Sequence, residues 1–167
     1  VGFKNNLEGR ISSAIDAVKA ARKPHAYLGV DAQGRVCGVH TQGNPHTHLV
    51  LRGSLHNGPN YQPEHLDALQ KALQDHPLEA KVLIDCSHGN SQKDPTQQPQ
   101  VFASFLEQSL AGNPLLVGAM LESNLHPGAQ PYTTGPKGLR YGVSITDACL
   151  GWEETEQLLE RAYTGSL

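Results

Sequence analysis

The sequence is short of cysteine, of net charge and of long apolar runs, and each shortage closes a class of functions. Its three cysteines, Cys37, Cys86 and Cys149, are an odd number, widely spaced and without a CxxC pair. They read as reduced thiols of a cytoplasmic protein rather than as a disulfide framework. A formal net charge of −3 leaves no general basic field, so no nucleic-acid partner is expected and any anion must be caught by a few placed residues. No apolar stretch approaches the roughly 18 residues that suggest a membrane helix, so no membrane partner is expected either. Neither GxGxxG nor GxxxxGKS/T follows a strand candidate, which removes the commonest nucleotide sites. Internal repeats and low-complexity tails are absent from the sequence. The chain starts at Val1 with neither a signal peptide nor an initiator Met, a start that suggests a piece of a longer protein.

What is present suits one globular unit: 167 residues, 38% hydrophobic and 17% charged. "VGFK" leads into a stretch where Leu7, Ile11, Ala14, Ile15, Val18 and Ala21 recur at helical spacing. "HAYLGV" and "RVCGVHT" flank "DAQG", where Gly34 suits a tight turn, so residues 25–41 read as an inserted β-hairpin. "HLVLRG" is a buried strand, and Pro63 opens a helix with Leu66, Leu69 and Leu73 on one side. "KVLIDCSHG" is the next strand, followed by a helix carrying Val101, Phe102, Phe105, Leu106 and Leu110. "LLVGAMLES", a Gly/Pro-rich loop over roughly 124–143 and the helix "WEETEQLLERA" complete the chain, with Trp152 and Leu158 as core contacts. Without the hairpin this is β-α four times over, with strands apolar enough for both faces of a parallel sheet to be covered. An open doubly wound sheet and part of a (β/α)₈ barrel both fit. A complete barrel takes about 250 residues, so four units are about half of one.

In either architecture the side chains just past the carboxyl ends of parallel strands converge on one crevice. Those positions hold Lys4, Arg52, His88 and Glu122, with Asp147 just before the last helix. His, Glu and Asp make a plausible N/O set for a divalent Mn, Fe, Co or Zn ion. Lys4 and Arg52 each follow a core strand, where a cation is aimed at a ligand, and arginine's planar fork suits phosphate or carboxylate. His46 and His48 bracket Thr47 and are read as polar groups on a solvated strand face. His25, His40, His56, His65, His76 and His126 are scattered over loops and helix surfaces.

Taken together, "VGFKN", "HLVLRG", "PNY", "IDCSHGNSQKD", "MLESNLHPG" and "YGVSITDACLGWE" closely resemble the C-terminal half of class I 3-deoxy-D-arabino-heptulosonate 7-phosphate (DAHP) synthases. The resemblance runs from Val1 to the last helix. It implies an α/β fold, the C-terminal half of a (β/α)₈ TIM barrel, strands five to eight, as a single partial domain over 1–167. It also implies condensation of phosphoenolpyruvate with erythrose 4-phosphate, the first step of the shikimate pathway. By the same resemblance His88, Glu122 and Asp147 match three of the family's four metal ligands. Lys4 and Arg52 match residues on phosphoenolpyruvate, and Asp147 also faces substrate. The fourth ligand, a cysteine, and a Lys-Pro-Arg-Thr-Thr segment belong to strands this chain lacks; Cys86 is a poor substitute for that cysteine. Activity of the chain alone is therefore not expected.

In feedback-regulated members the hairpin lines an aromatic amino-acid site, and Tyr27, Gly29 and Val39 match positions of that pocket. Gly29 stands where phenylalanine-sensing relatives carry serine, which makes the chain resemble the tyrosine-sensitive type. A homo-oligomer is expected. Two other readings compete: a non-catalytic half-barrel that folds or self-associates through open sheet edges, and a metal-dependent hydrolase, which would leave Lys4 and Arg52 unused.

Overall fold

The computed structural model describes residues 1–74, 80–133, 135 and 138–165; His76 lies outside them. A four-stranded parallel sheet has the order β1-β4-β5-β6, from Gly2–Lys4, His48–Leu51, Val82–Asp85 and Leu116–Met120. Helices α1 (Ser12–Ala21), α2 (Pro63–Gln74), α3 (Gln98–Leu110) and α4 (Trp152–Thr164) are interleaved with it. Strands β2 (His25–Val30) and β3 (Val36–Thr41) form a separate antiparallel pair.

Strand alternation decides which side chains meet the helices. Leu49 and Leu51 of β4 and Val82 and Ile84 of β5 join one core with Ala14, Ile15 and Val18 of α1, Leu66, Leu69 and Leu73 of α2, Val101 and Phe102 of α3, and Leu158 of α4. The intervening residues point to the other face. Val50 is buried there at 1% exposure, and Lys4, Val50 and Leu83 share one register row. Asp85, two residues beyond Leu83, therefore rises on the same face as Lys4.

The central strands β4 and β5 are buried, but the flanking ones are not: β1 is largely exposed and Val117 of β6 is 56% exposed. Burial on both sheet faces thus holds only for the middle of the sheet. The first helix starts at Ser12, later than its apolar spacing suggests, and Leu7 lies outside it at 74% exposure. Trp152 is not a core contact: it is 51% exposed, while Leu158, on another face of α4, is buried. Leu110, the last residue of α3, is likewise exposed.

Local chemistry sets the ends of the elements. Before α3 the Asp94 carboxylate accepts from Thr96 N and Thr96 Oγ1 and caps the short 3₁₀ turn Pro95–Gln97. Helix α4 stops at Gly165, whose φ of 65° is the left-handed conformation that suits glycine. In the hairpin, Gly34 at φ 78° closes the turn, with Asp31 Oδ1 accepting from the backbone N–H of Gln33 and Arg35.

Candidate active site at the strand ends

The loops after β1, β4 and β5 are stitched together by three asparagines, none of which the motif reading singled out. Asn5 Oδ1 accepts from Arg52 N at 2.8 Å and from Asn60 Nδ2 at 3.1 Å, while Asn5 Nδ2 donates to Gly53 O. Asn60 Oδ1 accepts from Gly53 N, and Asn60 N donates to Asn90 Oδ1, both at 2.8 Å. Asn90 Nδ2 donates to Leu51 O and Asp85 O at the ends of β4 and β5. An asparagine carries both a donor and an acceptor, so a chain of them can satisfy loop backbone groups that no ladder reaches. Gly53 and Gly89 let these loops touch backbone to backbone: a Cβ on Gly89 would lie 2.5 Å from Gly53 C.

On this frame His88, Glu122 and Asp147 converge, each offering a ligand atom within 4.8 Å of the others. Among the described residues no other group of at least three His, Cys, Asp or Glu side chains gathers in this way. His88 is held at φ 54°, left-handed backbone that is uncommon for a residue with a side chain. Its Nε2 lies 3.4 Å from Glu122 Oε1. Glu122 Oε2 accepts from Ser87 Oγ at 2.8 Å. Lys93 Nζ donates to Asp147 Oδ1 at 3.2 Å. The loop that carries Asp147 is brought beside Glu122 by the parallel bridge Ser123–Leu150 and by Leu150 N donating to Glu122 O. Each carboxylate thus has one oxygen anchored by a side-chain donor, while Glu122 Oε1 faces His88 Nε2, and the donor set fits a divalent cation of the borderline class.

The cations divide in a way the sequence did not show. Lys4 Nζ is 2.7 Å from Asp85 Oδ2, so it is ion-paired rather than free. Arg52, by contrast, has no hydrogen bond or ion pair for its guanidinium among the described residues. It lines a cavity of about 460 Å³ together with Ser54, His56, His88, Lys93 and Asp147. His56 and Lys93 are therefore cavity residues. His56 was signalled only by its position shortly after β4, and Lys93 by lying in the run "IDCSHGNSQKD" after β5.

Two thiols can be set aside. Cys86 is fully buried, and burial, with the Asp85 charge added, pushes its thiol far above the ordinary value, which is the state of a core side chain and not of a ligand. Burial also raises the Cys149 thiol. His48 is shifted down chiefly by burial, and His46 and His48 find no third donor among the described residues. On the hairpin, Tyr27 pairs directly with Val39, and a Cβ on Gly29 would meet Val39 Cγ2 at 2.7 Å and Tyr27 Cε2 at 3.6 Å, so these three side-chain positions adjoin on one face. No helix among the described residues is long and apolar enough to cross a membrane.

Fold and site together define an α/β protein with a mostly parallel sheet, whose polar residues meet at the carboxyl ends of its strands. Known proteins narrow this further. The DAHP synthetase I family matches residues 1–160, and the chain belongs to that family. It is 42% identical over 163 residues to the Tyr-sensitive phospho-2-dehydro-3-deoxyheptonate aldolase of Salmonella typhimurium, covering 98% of this chain and 45% of that protein. It is 44% identical over 166 residues to the phenylalanine-inhibited enzyme of Saccharomyces cerevisiae, covering 96% of this chain and 45% of that one. The solved phospho-2-dehydro-3-deoxyheptonate aldolase of Francisella tularensis superposes with a TM-score of 0.90 at 41% identity, over 99% of this chain and 47% of that one. The chain spans about half the length of these relatives.

Proposed function

We propose that the chain forms the phosphoenolpyruvate- and metal-binding half of a DAHP synthase, strands five to eight of its barrel, joining phosphoenolpyruvate to erythrose 4-phosphate with release of phosphate. The observation that carries this reading is the three-donor cluster His88, Glu122 and Asp147, two of whose members, His88 and Asp147, line one cavity with an Arg52 guanidinium that has no partner among the described residues. Such an arrangement can take an anion and an aldehyde side by side. A bound Mn, Fe, Co or Zn ion would supply Lewis acidity to polarise the aldehyde oxygen. Arg52 offers two parallel N–H donors to the phosphate of phosphoenolpyruvate, holding its carbon 3 toward the aldehyde carbon. Lys4, braced on Asp85 and still 36% exposed, adds positive charge for the carboxylate. Asp147 is proposed both to hold the ion and to meet the sugar.

The hairpin, residues 25–41, is proposed as part of an effector site for an aromatic amino acid, with Tyr27, Gly29 and Val39 on its face. Relatives named for tyrosine stand at 42–46% identity and one named for phenylalanine at 44%, so the proposed preference for tyrosine rests on glycine rather than serine at position 29. A cytoplasmic homo-oligomer completes the proposal. The 167-residue chain contains no Lys-Pro-Arg-Thr-Thr segment. By itself it is therefore proposed to bind metal without turning over.

The test is phosphate release from both substrates, measured on the chain alone and on the chain joined to the amino-terminal barrel strands of a relative. The joined enzyme should turn over and lose activity on chelation. There Arg52→Ala should raise KM for phosphoenolpyruvate at least about tenfold and leave that for the aldose nearly unchanged, with poor rescue by Arg52→Lys. Turnover that survives exhaustive chelation would remove the metal, and a lysine variant equal to wild type would reduce Arg52 to a solvated charge.

A further inference from the structure

We propose that Asp85 is a positioning residue that ties the Lys4 ammonium to the orientation of the His88 ring, so that His88 presents Nε2 to the space shared with Glu122 and Asp147. The inference rests on reading those three donors as a metal site. Asp85 is the last residue of β5 and is 1% exposed. A carboxylate so buried must be compensated by partners. It has three: Lys4 Nζ at 2.7 Å from Oδ2, His88 Nδ1 at 2.9 Å from the same oxygen, and Ser87 N donating to Oδ1 at 3.0 Å.

The chemistry of those partners fixes the tautomer. An ammonium and a backbone N–H can only donate, and a carboxylate can only accept. The imidazole nitrogen against Oδ2 must then also carry its proton, because two lone pairs at 2.9 Å would repel. Nδ1 is buried and lacks the alignment of a full hydrogen bond, so Asp85 is the group that compensates it by proximity. With the proton on Nδ1, the Nε2 lone pair faces Glu122 Oε1 across 3.4 Å. Two electron-rich atoms at that separation are reconciled by a cation between them. The left-handed backbone at His88 makes this possible by turning a residue three positions after Asp85 back over its carboxylate. Carboxylates set behind metal-bound histidines commonly act this way, and losing one costs about 10- to 100-fold in metal affinity.

Lys4 and His88 share one oxygen, so the two partners are not independent. An amide at position 85 could accept from Ser87 N or from the Oδ2 side, but not from both. Asp85→Asn should therefore weaken Co²⁺ binding about 10- to 100-fold, followed by the cobalt absorption band, with the circular dichroism spectrum retained. Lys4→Met should weaken it less. The double variant should be no weaker than Asp85→Asn alone, since both changes act through one carboxylate. Unchanged cobalt affinity in Asp85→Asn, or strictly additive losses in the double variant, would overturn the proposal.

The wild-type chain gives a reading that needs no variant to fold. Nitrogen-15 spectra of the His88 ring with Zn²⁺ bound should show the proton on Nδ1 and the metal on Nε2; the reverse assignment overturns the proposal. If the chain takes up neither metal, the functional reading fails by itself. The metal-free ring, in its neutral form, then still decides Asp85's role: a proton on Nδ1 supports it and a proton on Nε2 ends it.

Discussion

The rim of the parallel sheet and the β2–β3 hairpin are both built from strands and turns, yet they are held in opposite ways. At the rim, polar side chains bond across long stretches of chain: Asn5 reaches Arg52 and Gly53, Asn60 reaches Asn5, and Lys4 reaches the buried Asp85. The hairpin is held by its own ladder and by contacts as local as Asp31 with Arg35. Leu28, Val30 and Val36 stand out from it at 66–81% exposure. The rim is therefore a cooperative unit in which one change displaces several groups. The hairpin is a local unit whose face can vary without disturbing the chemistry.

Four substitutions sharpen that contrast. The largest effect is expected at Asn90, where alanine removes both Nδ2 donations and the acceptor for Asn60 N, leaving buried backbone groups of β4 and β5 unsatisfied. Urea unfolding should show a loss of about 3 kcal/mol or more. A loss below about 1 kcal/mol would mean that the asparagine chain is incidental.

A matched pair of glycines comes next. On Gly89 a Cβ meets the backbone of Gly53 and Ser54, which cannot rotate away, whereas on Gly29 the crowding atom is a methyl group of Val39. Gly89→Ala should cost about 2 kcal/mol and weaken metal binding, because it pries apart the loops that carry Arg52 and His88. Gly29→Ser should cost less than about 1 kcal/mol, leave metal binding intact and, in the joined enzyme, move inhibition from tyrosine toward phenylalanine. Equal costs for the two glycines would erase the distinction between rim and hairpin.

The smallest effect is in the hairpin turn. Backbone and side-chain hydrogen bonds from Arg35 hold the Asp31 carboxyl below its ordinary value. A depressed carboxylate stabilises the fold above its unfolded value, and that contribution disappears as pH falls through the folded one. Asp31→Asn should accordingly speed amide exchange in residues 31–35 at neutral pH, with the difference from wild type vanishing in acid and global stability unmoved. A change in global unfolding would show the hairpin to be coupled to the core.

Much of this protein is local information, and the sequence alone determined that part. The apolar spacing of Leu66, Leu69 and Leu73, the run from Val82 to Ile84 and the Asp-Ala-Gln-Gly turn each report a conformation set within a few residues. Their order implies a parallel sheet with its polar residues at one end, and the motifs after the strands suffice for the family. The tertiary structure decided which groups touch. Nothing near Lys4 in the chain indicates that its partner is Asp85, a pairing made by strand register and alternation across β1, β4 and β5. Nor does anything near Trp152 show that its side of α4 is left uncovered while Leu158 is buried. Periodicity is written along the chain, but the partner of a buried charge is chosen by the packing of elements far apart in sequence, where a buried group without one costs too much to persist.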